Sequence, residues 1–146
     1  MIMLDPRQFS QEAYAAVLAL RDGDKELSRH IQLNKKHHSK AAGLIQGLST
    51  YIATWGLHHL SGDAIKFLKG TAEDTTYKGI VYQEFLYRLK DLSQHDFDPT
   101  DAGTLIHLPL PQYTVLNHLA IRLAEEWSFW APAVLEEKKP EEEKAT

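Results

Sequence analysis

The spacing of hydrophobic residues along the chain predicts helices. The clearest pattern lies between Ser39 and Trp55, where apolar residues recur every three or four positions: Ala41, Leu44, Ile45, Leu48, Ile52 and Trp55. This period is typical of a helix with one buried face. Gly43 and Gly47 fall inside the predicted helix, four residues apart on one face. Because glycine costs about 1 kcal/mol of helix propensity relative to alanine, we expect these two glycines to admit a neighbouring helix.

Two helices are predicted before this segment. Asp5-Pro6 combines a capping side chain with a proline at the first helical position, so a helix should begin there, with a buried stripe from Phe9 to Leu20. A weaker amphipathic pattern, capped by Asp24 and ending near Asn34, predicts a second helix with Leu27 and Ile31 on its apolar side.

The middle of the chain predicts a short helix, a longer helix and a loop. The short helix covers Asp63 to Lys69, and the longer one covers about Tyr77 to Leu92. Residues 93–111 are rich in aspartate, proline and glycine, which predicts the longest loop of the chain.

The C-terminal part predicts one more helix, which starts between Pro111 and Asn117 and carries Trp127 and Trp130 on one stripe. Pro132 should bend or end it. Residues 136–146 contain glutamate, lysine and proline without a large apolar side chain, so they are predicted to form a disordered acidic tail.

These patterns together predict an all-α fold, since no segment alternates convincingly between apolar and polar residues. We expect a compact bundle of five or six helices in a single domain, residues 1–135, with Trp55 and Trp127 in its core. A chain of 146 residues can bury roughly 70% of the surface that it exposes when unfolded, which is enough for one core.

Composition narrows the functional classes. The chain has no cysteine, which excludes disulfides, thiolate zinc sites and a cysteine nucleophile, and fits a reducing cytoplasm. No apolar run approaches about 18 residues, so we expect a cytoplasmic protein without a membrane segment.

The eight histidines raise the question of a metal site. His37-His38 and His58-His59 are adjacent pairs, and adjacent side chains on a helix diverge by about 100°, so neither pair is suited to sharing one ion. Glycine-rich phosphate loops and nucleophile or zinc-protease motifs are also missing from the sequence. We therefore expect no metal, no cofactor and no enzyme activity.

Two further histidines leave a weaker enzymatic hypothesis open. His118 and Arg122 lie on helical turns that neighbour Glu125 and Glu126, and could form an acid–base cluster with either glutamate. His95-Asp96 resembles the doublet of metal-dependent phosphohydrolases. A solvated face with spaced ion pairs is favoured for the first group, and the other phosphohydrolase ligands are not recognisable. A small metal-dependent hydrolase is the third functional hypothesis.

A basic cluster is the main candidate for nucleic-acid contact. Lys35, Lys36 and Lys40 lie where two predicted helices meet, and Lys25 and Arg29 precede them by one to three turns. The cluster could lie against a phosphodiester backbone, or it could be a solvated helix junction. The formal net charge of the chain is −4, so we expect the isolated protein to bind RNA poorly.

The last predicted helix carries aromatic side chains on more than one face, because Phe129 is about 100° from Trp130. An exposed aromatic residue there would favour contact with another protein. This supports a second hypothesis, in which the chain is a helical adaptor that docks a protein partner without RNA.

Two stretches resemble the small helical subunit of type III-B CRISPR effector complexes, the Cmr complexes. The first is Leu44-Ile-Gln-Gly-Leu48 with the following residues to Trp55, and the second runs from Tyr113 to Trp127. The resemblance covers roughly residues 5–135. The chain departs from the family pattern at Gln46, where asparagine is frequent, and at Ser128-Phe129-Trp130, where basic residues often follow the tryptophan.

The resemblance implies an all-helical, non-catalytic subunit of a ribonucleoprotein. Such a subunit stacks with copies of itself beside the backbone and large subunits, and it lines the channel in which guide RNA and target RNA pair. Recognition would then depend on phosphates and shape rather than on base sequence.

Overall fold

The computed structural model describes residues 5–136, in which all regular secondary structure is helical. A short 3-10 helix, Lys35–His37, and seven α-helices follow one another: α1 Pro6–Asp22, α2 His38–Gln46, α3 Leu48–Trp55, α4 Leu57–Lys69, α5 Glu73–Ser93, α6 Ala102–Ile106 and α7 Leu110–Leu135. The predicted all-α class is confirmed, with one helix more than the upper prediction. The predicted disordered tail lies outside the described residues except for Glu136.

The start of α1 follows from its first residues. The Asp5 side chain accepts the N–H of Arg7 at 2.9 Å, while the Gln8 side chain accepts the N–H of Asp5 at 3.1 Å. This reciprocal arrangement is a capping box, and it satisfies N–H groups that the first turn leaves unpaired. The helix ends at Asp22 and is followed by Gly23, whose φ of 82° favours glycine.

The helix predicted for residues 24–34 is wrong. Asp24 caps only a single turn, in which its carboxylate accepts the N–H of Glu26 at 3.0 Å. The chain then returns along α1, where the N–H of Leu33 donates to the carbonyl of Leu20 at 2.8 Å. Ile31 and Leu33 are both buried. Contacts with the rest of the bundle therefore outweigh the weak local preference for helix.

The segment from Ser39 to Trp55, predicted as one long helix, lies in two helices, because the helix is interrupted at Gly47 between α2 and α3. A β-carbon on Gly43 would meet nothing within 4 Å, and one on Gly47 would meet only the carbonyl oxygen of Leu44, at 3.7 Å. The expectation that these two glycines admit a neighbouring helix is therefore wrong. The close approach occurs at Gly79 of α5, which lies against Leu68 of α4.

The core is organised around α7, which packs along α1, α2 and α3. Trp127 is fully buried as predicted, and its ring meets that of Phe85 edge-on at 5.1 Å. Trp55, which was predicted to join the core, is instead 56% exposed. It is the last residue of α3, and the chain turns sharply at Gly56, whose φ is 85°.

The C-terminal half differs from the prediction in its boundaries. The predicted loop of residues 93–111 contains α6, whose N-terminus is capped by Asp101. Pro132 lies inside α7, which ends at Leu135. Within residues 5–136, no helix has both the length and the apolar content that a bilayer crossing requires.

Candidate interaction surfaces

The predicted basic cluster forms at the turn into α2. Asn34 caps the 3-10 helix by accepting the N–H of Lys36 at 3.1 Å. Lys36 and Lys40 both reach the first turn of α5, and Lys35 lines a cavity whose wall includes Glu73 of that turn. We call these three lysines the basic edge. Their backbone is therefore held by local hydrogen bonds rather than by one continuous helix.

The basic edge faces the acidic first turn of α5. Lys36 Nζ lies 2.6 Å from a carboxylate oxygen of Glu73, and Lys40 Nζ lies 3.9 Å from one of Asp74. The contact with Glu73 raises the pKa of Lys36. All four side chains are more than half exposed, and ion pairs in such positions add little to stability because water and salt screen them. The pairs can therefore open at little cost.

Two histidines beside the basic edge point inward. His37 is buried and stacks on Tyr77 with ring centroids 4.9 Å apart, and its Nε2 lies 3.3 Å from Asp74 Oδ1. His38 Nε2 lies 3.1 Å from the carbonyl oxygen of Leu33. The hydrogen bond from His37 is the largest cause of the lowered pKa of Asp74, followed by the charge of Lys40. These histidines anchor the turn to α5 and to the preceding segment.

Arg29 contacts α5 at a different place from the lysines of the basic edge. Its Nε and Nη2 donate to the two carboxylate oxygens of Glu84 at 2.7 and 3.0 Å, and its guanidinium lies over the ring of Tyr87. Arg88 donates to the same carboxylate at 2.7 Å. Glu84 is eleven residues beyond Glu73, or about 16 Å along α5. The structure thus separates Arg29 from the basic edge.

Lys25 lies apart from the basic edge as well. It is exposed in the irregular segment after α1, where it lines a cleft together with Asp22 and Asp24. The sequence missed the acidic partners of the lysines because α5 was predicted to begin at Tyr77, four residues late. An acidic first turn is a common feature of helices and would have been the signal.

A first aromatic surface is formed by Tyr14, Phe129 and Trp130. Phe129 is 68% exposed, and the Trp130 ring lies 5.0 Å from Phe129 and 5.1 Å from Tyr14, edge-on in both cases. The helices α1 and α7 run in the same direction here, since Ser10 bonds to Glu126 and Arg21 reaches the carbonyl of Val134. Phe129 is thus an exposed aromatic residue of the kind that would favour a protein contact, and Trp130 is partly exposed beside it.

A second aromatic surface is formed around Trp55, at the other end of α7. The Trp55 ring stacks on His59 at 5.5 Å, and the neighbouring His58 Nδ1 lies 2.8 Å from the hydroxyl of Tyr113. Ile106 and Leu110 extend the apolar area and line a cavity of about 260 Å³ with His58 and Tyr113. Leu110 is 73% exposed. The sequence placed Trp55 in the core and so missed this surface.

The residues considered for catalysis make other contacts. Arg122 lies over the ring of Phe9, and Glu126 accepts a hydrogen bond from Ser10, so both side chains are directed toward α1. Across residues 5–136, no three histidine or carboxylate side chains come together in a way that could hold a metal ion.

Comparison of the chain with protein-family models, with curated proteins and with solved structures finds no match.

Proposed function

We propose that the protein is a non-catalytic structural subunit of a type III CRISPR effector complex, in which it stacks with copies of itself and supports the pairing of guide and target RNA. The observation that carries this proposal is the placement of two exposed aromatic surfaces at opposite ends of α7. Leu110 and Phe129 are nineteen residues apart in this helix, or about 28 Å.

Two different apolar surfaces on one chain suit a head-to-tail contact. When unlike surfaces of identical chains meet, the assembly either closes into a ring or extends as a filament. Exposed apolar clusters of this kind commonly mark protein contacts. The arrangement therefore supports a subunit that stacks in a row.

The contact between the two stretches that resemble the Cmr small subunit also supports the proposal. The helix α7 packs along α2 and α3, which contain the first stretch. Asn117 of α7 also holds the residues just after that stretch, because its side-chain oxygen accepts the N–H of Leu57, the first residue of α4, at 3.1 Å. The resembling segments thus form one packed unit rather than two scattered matches.

The basic edge suits a weak, sequence-independent contact with RNA. Lys36 and Lys40 are paired with exposed carboxylates, so an isolated chain presents less net positive charge to a phosphate backbone than three lysines would alone. A row of stacked copies would align the basic edges, and modest contributions would then multiply through avidity.

Mixing two variants tests the stacking. Trp55→Asp and Phe129→Asp each remove one aromatic surface, and Thr50→Asp adds the same charge at an exposed position of α3 as the control. Sedimentation at high concentration should give monomers for each aromatic variant alone, heterodimers for their mixture through the two intact surfaces, and wild-type assembly for the control. A mixture that stays monomeric while the wild type assembles would contradict a head-to-tail contact.

A triple substitution tests the RNA contact. In a complex reconstituted with backbone and large subunits and a guide RNA, Lys35, Lys36 and Lys40 are changed together to glutamate, with Lys66→Glu as the control on α4. Target-RNA affinity should fall similarly for all sequences, and its salt dependence should become shallower. Unchanged affinity and slope in an intact complex would show that the basic edge does not contact RNA.

A protein adaptor that acts without RNA is the second candidate, and the exposure of Phe129 favours it independently of the lysines. Affinity purification from the native host with and without ribonuclease distinguishes the two functions. Recovery of a guide RNA supports the CRISPR subunit, whereas a partner retained after ribonuclease treatment with no RNA recovered supports the adaptor.

A further inference from the structure

The cavity beside Trp55 leads from the surface of the protein to its core. Its volume is about 260 Å³, and its lining side chains come from α4, α6, α7 and the turn before α7: His58, Leu105, Ile106, Leu108, Leu110 and Tyr113. Ile106 and Leu110 are largely exposed, whereas Leu105 is buried and belongs to the core. An apolar group can therefore enter the cavity without separating any helices.

The polar wall of this cavity is held in place by Gly56. His58 Nδ1 lies 2.8 Å from the hydroxyl of Tyr113. A β-carbon on Gly56 would collide with that hydroxyl and would lie 3.1 Å from His58 Nδ1. When Nδ1 of a neutral ring accepts the Tyr113 hydrogen bond, the ring proton is on Nε2. His58 can thus donate a hydrogen bond from Nε2 to a group at the cavity.

The size of the cavity suits one aromatic ring. An apolar cavity of about 150 Å³ is enough to bind benzene, so this larger cavity can hold a phenyl ring with its methylene group. Phe129 is the most exposed aromatic side chain in residues 5–136, at 68%. It cannot reach the cavity of its own chain, because it lies nineteen residues beyond Leu110 in α7, or about 28 Å away. Ring and cavity can therefore meet only between two copies.

The charges beside the ring and the cavity are complementary. Glu125 is exposed and lies four residues before Phe129 in α7, so the two side chains are neighbours on the helix surface. Glu126 adds a second carboxylate at this end of the helix. No carboxylate lines the cavity, and His59 and His107 adjoin it in sequence. A ring that enters the cavity therefore brings a carboxylate toward His58.

We infer that Phe129 of one copy enters the cavity of the next copy, where Glu125 accepts a hydrogen bond from His58 Nε2. Each chain has one such ring and one such cavity, so the contact can repeat from copy to copy. The inference rests on the stacking in the proposed function and specifies which residues make the contact. It does not depend on RNA.

Photocrosslinking tests where the Phe129 ring lies. In the full-length chain, 4-azidophenylalanine replaces Phe129, because it differs from phenylalanine by only a small azide group. Irradiation of a concentrated mixture of isotope-labelled and unlabelled protein should join position 129 of one chain to residues 105–113 of another, as identified by mass spectrometry. The same replacement of Gln46, which is exposed on α2 and belongs to neither aromatic surface, is the control and should give no such product.

A charge exchange tests the polar part of the contact. Glu125→Lys and His58→Glu should each weaken self-association in sedimentation about tenfold, and a chain with both changes should return to within about threefold of the wild type. Glu26→Lys makes the same change of charge at an exposed position of the segment after α1 and should have no effect. A double variant no better than either single variant would overturn the hydrogen bond between Glu125 and His58.

The results separate this contact from the proposed function. Crosslinks from position 129 to another surface of a neighbouring copy would overturn the contact and leave the stacking in place. A wild-type chain that stays monomeric at the highest attainable concentration would overturn both. Crosslinks to residues 105–113 in a protein that co-purifies with no guide RNA would support the contact and count against the CRISPR role.

Discussion

Gly79 of α5 lies against Leu68 of α4 so closely that a β-carbon on Gly79 would be 2.7 Å from Leu68 Cγ and 2.9 Å from the Leu68 backbone nitrogen. The backbone nitrogen cannot move without shifting α4 itself. This glycine therefore permits the extensive packing of α4 on α5, and any larger side chain must separate the two helices.

Gly79→Ala is expected to destabilise the protein by about 1–3 kcal/mol, the usual range for overpacking. Gly43→Ala is the matched control, because it is also helical but meets nothing within 4 Å. The control should be neutral or stabilising by up to about 1 kcal/mol through helix propensity. Urea unfolding followed by circular dichroism measures both, and equal effects at the two positions would contradict the close approach.

The buried carboxylate of Glu84 leads to a second prediction. Its side chain is fully buried, and it receives hydrogen bonds from both Arg29 and Arg88. Glu84→Gln removes the counter-charge of Arg29 and leaves Arg88 with only the carboxylate of Glu12, at 3.4 Å, so we expect a loss of about 3–5 kcal/mol. The matched variant Glu73→Gln breaks an exposed, solvent-screened pair with Lys36 and should leave the unfolding free energy nearly unchanged.

Proteolysis provides a second measurement for Glu84→Gln. Because Arg29 fixes the irregular segment after α1 to α5, trypsin should cut at Lys25 faster in this variant than in the wild type. A variant with wild-type stability and wild-type cleavage would show that the ion pairs do not hold the segment.

The sequence predicted those parts of the fold that depend on local signals. The start of α1 is encoded by Asp5 and Gln8, which form the capping box, and by the proline at its first position, without help from the rest of the chain. The stripe that buries Trp127 repeats over several turns of α7, so a small error in the helix boundary does not change which face is buried.

The predictions that are wrong concern residues whose placement depends on contacts with parts of the chain that are distant in sequence. Residues 24–34 carry a helical pattern, but Arg29 bonds to Glu84, which lies 55 residues away along the chain. The Trp55 prediction assumed one continuous helix, whereas a break at Gly47 and a turn at Gly56 place this side chain at the surface. The acidic partners of the basic edge were missed for the same reason, since only folding brings α5 beside Lys36 and Lys40.

The contrast between Trp127 and Trp55 gives a third prediction. Trp127 is fully buried, so Trp127→Ala should cost about 3–5 kcal/mol, whereas Trp55→Ala should change the unfolding free energy by less than about 1 kcal/mol. Acrylamide quenching of tryptophan fluorescence should lose its most accessible component in Trp55→Ala. A quenching curve unchanged by this substitution would place Trp55 inside the bundle.

The fourth prediction concerns pH and follows from His58. Burial lowers the pKa of this side chain, and the neighbouring His59 adds to the effect. The ring nitrogen Nδ1 lies 2.8 Å from the Tyr113 hydroxyl, and in a neutral ring this nitrogen can accept a hydrogen bond from that hydroxyl. Because the pKa is lower in the folded state than its usual value of about 6.5, the unfolded chain takes up the proton first. The contribution of His58 to stability is therefore complete above about pH 7, and it declines as the pH falls below 6.5 until the pH passes the folded-state pKa.

His58→Gln retains a polar side chain without this titration, so its unfolding free energy should fall less between pH 7.5 and pH 5. Asp98→Asn is the control, since hydrogen bonds from Thr100 lower the pKa of that carboxylate and confine its effect to pH values below about 4. Urea midpoints measured across this range should give a shallower slope for His58→Gln alone, and identical slopes in all three proteins would contradict the assignment.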